Sequence, residues 1–415
     1  MTKTENQNKP MQIVAGLDIG NGDSKCKLQI NGQDPIALDL PSVVAYTTGS
    51  NTPKVPTSHY METLTNRLDA SVVGPGIHHV DEGRMFFGKR AITSGESLTS
   101  FNISNHVPKS QDSLSTILID GIIASNAVSH YYKSNNKLPS NLTVDSVIAI
   151  PLPIDDYLEY RNTYKTSLIS APHTVTIRNF GDPITVTINY KNVIVLAEGA
   201  AAQYAILKLG PKFLQKALDS ARLHGAKIDQ AYTGEMLAKA TNSISLDIGD
   251  GNVNFPVITN KQINVEASRS INKGYGSVLD GAVVDLANTT ASFDSRRDLS
   301  DFLRDPMNQL MPAQKATFVE ANRAVENHKQ VFTRDIRTTF SDIFRRVGQR
   351  TQVIYVYGGG ATPMQKSLEP VLIDETKVGN GENIPILWMD SVYSRNLNRN
   401  GLFEAAVYGT KSNLQ

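Results

Sequence analysis

The hexapeptide Leu17-Asp18-Ile19-Gly20-Asn21-Gly22 returns as Leu246-Asp247-Ile248-Gly249-Asp250-Gly251, more than half the chain later. A repeat so widely spaced marks duplicated domains rather than a solenoid, with one copy introducing each half. The surroundings of the two copies match. Ile13 to Leu17 reads as a short buried strand running into Asp18, and beyond the glycine turn Cys26, Leu28 and Ile30 alternate with Lys25, Lys27 and Gln29. That is the period of a strand with one buried face. Ile244 to Asp247 reads as the equivalent strand of the second copy, and Val253, Phe255 and Val257 alternate after it. Each copy is therefore a strand, a glycine turn and a strand.

The chain has 415 residues, room for two or three domains at about 150 residues each. Residues 1–12 are polar and read as a disordered tail. The stretch 41–106 is rich in Ser, Thr, Gly, Pro and Asn and reads as a small inserted subdomain around Met85-Phe86-Phe87-Gly88. Leu114, Ile117, Leu118, Ile122, Val128 and Tyr131 keep helical spacing, and Val147 to Ile150 reads as a buried parallel strand, which together predict an α/β layer. Thr174 to Ile188 alternates as a hairpin, and Val193 to Leu196 reads as a further strand feeding a helix start at Ala197 to Ala202. One or two helices follow over 211–241 and a long charged helical tract over 313–350. A strand at Val353 to Tyr357 runs into Gly358-Gly359-Gly360, and Gly401 to Gly409 reads as a final helix.

Charge and cysteine content narrow the function classes. Lys and Arg total 41 against 40 Asp and Glu, a formal charge of +1, so no basic field argues for direct DNA or membrane binding. Cys26 is the only cysteine; it excludes a disulfide framework and a Cys-based zinc site and fits a reducing compartment. The N-terminus lacks the apolar core of a signal peptide, and no apolar run approaches the ~20 residues of a membrane span. The chain reads as a soluble, mixed, bacterial-type cytoplasmic protein, and the Asn-x-Ser/Thr triplets at Asn102, Asn141 and Asn288 read as chance.

One Asp-x-Gly-x-Gly turn is an ordinary hairpin; two change the reading. Tight-turn amides form anion-binding concavities, and a facing pair can grip a polyphosphate from both sides. Asp18 and Asp247 beside phosphates imply a hard cation between like charges, Mg2+ held mostly through waters. Lys25 reads either as a solvated strand lysine or as a mobile charge on phosphate oxygens. Gly358-Gly359-Gly360 follows a buried strand, where α/β folds bring backbone close to a ligand such as a nucleotide base; the same run also suits a plain strand-to-helix turn.

Taken in order, these segments resemble the five nucleotide-site segments of the actin-like ATPase superfamily. Asp18 to Lys25 resembles the first phosphate segment, Val193 to Ala202 the first connecting helix and Asp247 to Asn254 the second phosphate segment. Tyr357 to Thr362 resembles the adenosine segment and Asn398 to Gly409 the second connecting helix. The Met85-Phe86-Phe87-Gly88 stretch with Ala91, and Asn398-Arg399-Asn400-Gly401-Leu402, are similar to segments of the ParM-type plasmid-segregation actins. With Gln415 only six residues beyond Gly409, the sequence reads as unlike seventy-kilodalton chaperones, which carry extra domains, and unlike FtsA-type proteins, which are expected to carry a terminal membrane helix.

The resemblance implies an α/β chain of the actin/ribonuclease H-like duplicated fold: two domains around a nucleotide cleft, each a mixed sheet flanked by helices. Domain I would span 13–196 and 395–415, and domain II 197–394 with a helical insertion at 211–241. It implies ATP, or GTP, with Mg2+. Gly20, Asn21, Gly22, Lys25, Gly249, Asp250, Gly251, Asn252, Gly276, Gly358, Gly359 and Gly360 would bind nucleotide. Asp18, Asp247 and Glu198 would hold the metal. Glu198 would also orient the attacking water, although alone it reads as a helix N-terminal carboxylate, and Gly276 has an equally plain turn reading. Small residues at Ala197, Gly199 to Ala202, Ala405 and Ala406 would let two helices cross closely and act as a hinge. The implied function is a head-to-tail filament whose ATP hydrolysis moves or positions plasmid DNA through a small DNA-binding adaptor, with no direct nucleic-acid or membrane contact. The alternative is a small-molecule kinase of the same fold. Glu198 and Asp247 stand further apart in sequence than the family usually needs, and no single residue of 313–350 matches its ribose contacts.

Overall fold

The computed structural model describes residues 9–48, 60–61, 63–101, 107–389, 391–394 and 396–412. Most of the expected tail, the Asn102 triplet and part of the 41–106 stretch lie outside them. The chain forms two compact units, 1–205 with 398–415, and 206–397.

The first unit is built on a ten-stranded sheet. Strand β1 (Met11–Ile19) begins within the span expected as tail and buries Ile13, Ala15 and Leu17; β2 (Asp23–Ile30) pairs with it antiparallel, setting Asp18 opposite Lys25. Strand β8 (Asn141–Leu152) runs parallel to β1 and to β10 (Ile184–Ala197). The expected hairpin is β9 (His173–Ile177) with the first part of β10. Val193 to Leu196 is not a separate strand. A register shift between Tyr190 and Asn192 lets β10 absorb one residue and continue along β8, so hairpin arm and buried strand are one element.

The polar stretch supplies β5 (Asp69–Val73), β6 (Gly83–Phe87) and two shorter strands, and β5 pairs with β9, so they extend the same sheet. Buried Asp69 accepts two hydrogen bonds from Arg84, at 2.8 Å each, and an ion pair from Arg90 at 3.1 Å, which anchor this extension.

The helix Ser113–Asn135 starts at Asp112, whose side chain accepts from the Leu114 N–H at 2.9 Å, and ends at Asn136 in left-handed conformation. The C-terminal helix Leu397–Ser412 lies close against both β1 and the helix Ala200–Leu223. A side chain at Gly16 would strike the Phe403 backbone, and one at Gly401 would strike the Ala201 carbonyl. Ala149, Ala201, Leu402 and Ala406 fill the contact, the close crossing the small residues predict.

In the second unit β11 (Ser243–Ile248) lies parallel to β16 (Val353–Tyr357), and β16 to β17 (Ile386–Trp388). β12 (Val253–Phe255) and β13 (Val257–Thr259) are together the antiparallel partner of β11, interrupted at Pro256, which has no N–H to donate. The 36-residue helix Pro312–Val347 buries Ala321, Val325, Phe332, Ile336, Phe340 and Ile343 along one face, so most of its charges are the solvated side the tract predicts. The helices of 211–241 are a stretch to Leu223, separated from the preceding helical residues by Gly210 at φ 79, and the short Gly234–Ala238. Among the described residues no helix is long and apolar enough to cross a membrane.

Candidate functional site

In both units candidate site residues gather at the carboxyl ends of parallel strands, where α/β sheets leave room for ligands. In the first unit these are the ends of β1, β8 and β10. Asp18 is the penultimate residue of β1, and the Gly20 N–H turns back on its carbonyl at 3.1 Å. Glu198 follows β10 directly, and its N–H donates to the Leu152 carbonyl at the end of β8 at 2.7 Å. Gly199 takes φ 80, a conformation costly for other residues, so the chain can turn from strand to helix just after Glu198.

Glu198 is buried, and its Oε1 accepts from Lys109 Nζ at 2.9 Å. The Lys109 N–H donates to Asp156 Oδ2 at 3.0 Å, in the first turn of the helix Ile154–Ile169 that follows β8. The unit thus brings together Asp18, Lys25 and Glu198, all expected, with Lys109 and Asp156, which sequence reasoning missed. Asp156 had a signal, an acidic first turn just past a buried parallel strand. Lys109 had none, since it lies in a short irregular segment without periodicity.

The charges act on one another. Burial pushes the Asp18 carboxyl above its ordinary value; Lys25 opposes this, the Glu198 charge adds to it, and Lys109 and Arg399 oppose it again. Burial also raises Asp156, with Glu198 contributing. For Lys109 burial works against the charge, but Glu198, Asp18 and Asp156 outweigh it and its pKa is raised.

The second unit builds its cluster at the ends of β11 and β16. Buried Asp247 lies level with Tyr357 of β16 and opposite Asn254 of β12. The Gly249 N–H donates to the Asn252 carbonyl at 2.9 Å, closing the turn through Asp250 and Gly251. Gly358, at φ 100, passes so near that a side chain there would lie 2.7 Å from Asp247 Oδ1. The Gly360 N–H donates to the Ile248 carbonyl at 2.8 Å, whereas the space around Gly359 is open. Gly276 was expected near a ribose. Its N–H donates to the Asp250 carbonyl at 2.8 Å, and the Tyr275 N–H to the Gly249 carbonyl at 2.9 Å, so this loop buttresses the glycine turn at Asp250. The Asp250 carboxylate pairs with Arg296 at 2.7 Å, and Arg296 also holds Asp280. Among the described residues no three His, Cys, Asp or Glu side chains gather as a ready metal cage.

No protein-family model matches the chain, and no curated protein matches it. Solved structures do, over nearly its whole length. The apo ParM of pSK41 is 16% identical with a TM-score of 0.54, covering 97% of this chain and 99% of its own. Bacillus thuringiensis ParM with ATP is 13% identical with a TM-score of 0.58, covering 96% and 99%. Ta0583, an archaeal actin homolog, is 15% identical with a TM-score of 0.59, covering 96% and 99%. The B. thuringiensis protein was also solved with ADP and with AMPPNP. The chain has the mixed α/β actin-like fold of these structures, two sheets flanked by helices, as the resemblance of its nucleotide-site segments implies.

Proposed function

We propose that this chain is a nucleotide-dependent, filament-forming ATPase, using ATP or GTP with Mg2+, that segregates or positions plasmid DNA through a small DNA-binding adaptor. One observation carries the reading: each unit repeats a carboxylate and a glycine turn at the carboxyl edge of its parallel strands, Asp18 before Gly20 and Asp247 before Gly249. The likeness to ParM crystallised with ATP, ADP and AMPPNP supports a nucleotide as the ligand.

Glu198 is the residue assigned to orient and polarise the attacking water, held buried next to the Lys109 ammonium. The backbone of Gly20 to Gly22 and of Gly249 to Asn252 is assigned to the phosphates, Lys25 to neutralising them, and Gly358 to Gly360 to the base. The fit to Mg2+ rests on donor chemistry. Asp18 is a hard oxygen donor whose pKa is raised by burial and by the Glu198 charge, a combination that a cation relieves. The carboxylates assigned to the metal, Asp18 and Glu198 in the first unit and Asp247 in the second, are donors of the kind that would hold Mg2+ mostly through its waters. Mg2+ in such sites neutralises charge developing on transferred phosphoryl oxygens. In this reading Asp18 and Asp247 would each orient metal-bound water, and Glu198 would hold the attacking water.

The test is light scattering and pelleting with Mg2+ and ATP, ADP or no nucleotide, alongside phosphate release. Wild type should assemble with ATP, release phosphate and then disassemble. Glu198→Ala should assemble and persist, with phosphate release slowed about 10²- to 10⁴-fold, the usual worth of a positioned general base. ATP binding without assembly, with phosphate passed to an added sugar or carboxylic acid, would replace this reading by a kinase.

A further inference from the structure

The ion pair between Lys109 and Glu198 is an enclosed contact of opposite charges on the first unit's candidate site, with side-chain exposures of 12% and 9%. Enclosed charges are costly unless each meets a partner, so an ammonium there must be held by carboxylates. Lys109 is held from both ends. Its side chain donates to Glu198 Oε1, and its backbone N–H donates to Asp156 Oδ2. The segment itself is a closed turn, the Gln111 N–H donating to the Pro108 carbonyl at 2.9 Å, and it leads directly into the Asp112 cap of Ser113–Asn135. A flexible lysine stem is thereby tied to two helix starts, and its tip grips one oxygen of the carboxylate assigned to the nucleophile.

We propose that Lys109 is a positioning residue for hydrolysis: its ammonium fixes the orientation of the Glu198 carboxylate, and its charge makes that buried anion tolerable beside Asp18. This rests on the ATPase reading above. A lysine acting through Glu198 governs turnover and leaves nucleotide affinity alone, whereas a lysine touching phosphate governs both. Its effect also vanishes once Glu198 is gone, because two residues working as one unit are not additive.

The experiment is a cycle of wild type, Lys109→Met, Glu198→Gln and the double variant, read by steady-state phosphate release and by urea denaturation without nucleotide. Lys109→Met, which keeps the apolar stem, should lower kcat about 10²-fold, the cost of a misplaced reacting group, with KM for ATP unchanged. Lys109→Arg, which keeps the charge, should recover part of that loss. The double variant should turn over no more slowly than Glu198→Gln, and the urea midpoints should be non-additive. If Lys109→Met does not fold, Lys109→Gln, which keeps a donor but no charge, takes its place. Wild-type kcat in the neutral variant overturns the inference, as do additive losses, or a raised KM with kcat intact, which would make Lys109 a phosphate ligand. Wild type that releases no phosphate overturns the ATPase reading itself and the inference with it, whatever the urea cycle shows.

Discussion

His173, far in sequence from the site motifs, has hydrogen-bond acceptors at both ring nitrogens. Nδ1 lies 2.8 Å from Asp120 Oδ2 and Nε2 lies 3.1 Å from the Leu168 carbonyl, all buried. A neutral imidazole donates from only one nitrogen, so the imidazolium alone satisfies both acceptors. Burial works against that charge, but the Asp120 carboxylate and the two hydrogen bonds outweigh it and the pKa is raised. Tyr190 donates to the other Asp120 oxygen and completes the network. A pKa raised on folding stabilises fully below the unfolded value, about 6.5 for His, and the stabilisation is lost as pH rises through the folded value. The urea midpoint of wild type should therefore fall as pH is raised from about 6.5, and His173→Gln should flatten that fall. An equal slope in both proteins would show that His173 is neutral in the fold.

At the scale of elements, glycines mark where backbone meets backbone, and the structure separates those the packing requires from those with open space around them. Gly401→Ala drives a methyl into the Ala201 carbonyl of the neighbouring helix and should cost about 1–3 kcal/mol, as overpacking does. Gly358→Ala combines a left-handed φ with a collision at Asp247 and Ile248 and should cost about 1–3 kcal/mol through strain alone. Gly359→Ala meets nothing and should change stability by no more than about 0.5 kcal/mol. Urea denaturation of the three variants checks the order. A Gly359→Ala that is stable yet has lost ATP affinity would mark that backbone as the place of close ligand approach.

For the whole molecule, each unit has its own apolar core, one around β1, β8 and β10 and the other around β11 and β16. A chain with two cores can unfold in two steps, so its response to ligand is best read as a shift of the whole melting profile. A nucleotide bound only by the folded state should stabilise it by about 2.7 kcal/mol at a hundredfold excess over Kd. AMPPNP with Mg2+ should therefore raise the melting temperature by several degrees, and EDTA should diminish the rise. No shift at millimolar nucleotide would contradict nucleotide binding and the function built on it.

The paired Asp-x-Gly hairpins, the buried strands running into them, the long amphipathic helix and the close-packed C-terminal helix were all legible in the sequence. Each is written by a short-range rule, alternation along a strand, a glycine turn or helical spacing, and the repeat of one hexapeptide doubled the signal. Tertiary structure alone decided that β10 is a single strand, that the 41–106 stretch adds strands to the first sheet, and that Gly276 braces the Asp250 turn. It also decided the partners of the buried charges: Lys109 with Glu198, Asp69 with Arg84 and Arg90, and Asp120 with His173 and Tyr190. Such pairs obey no period, because a buried charge needs an opposite charge only in space. Which distant residue supplies it depends on how strands and helices have already been brought together.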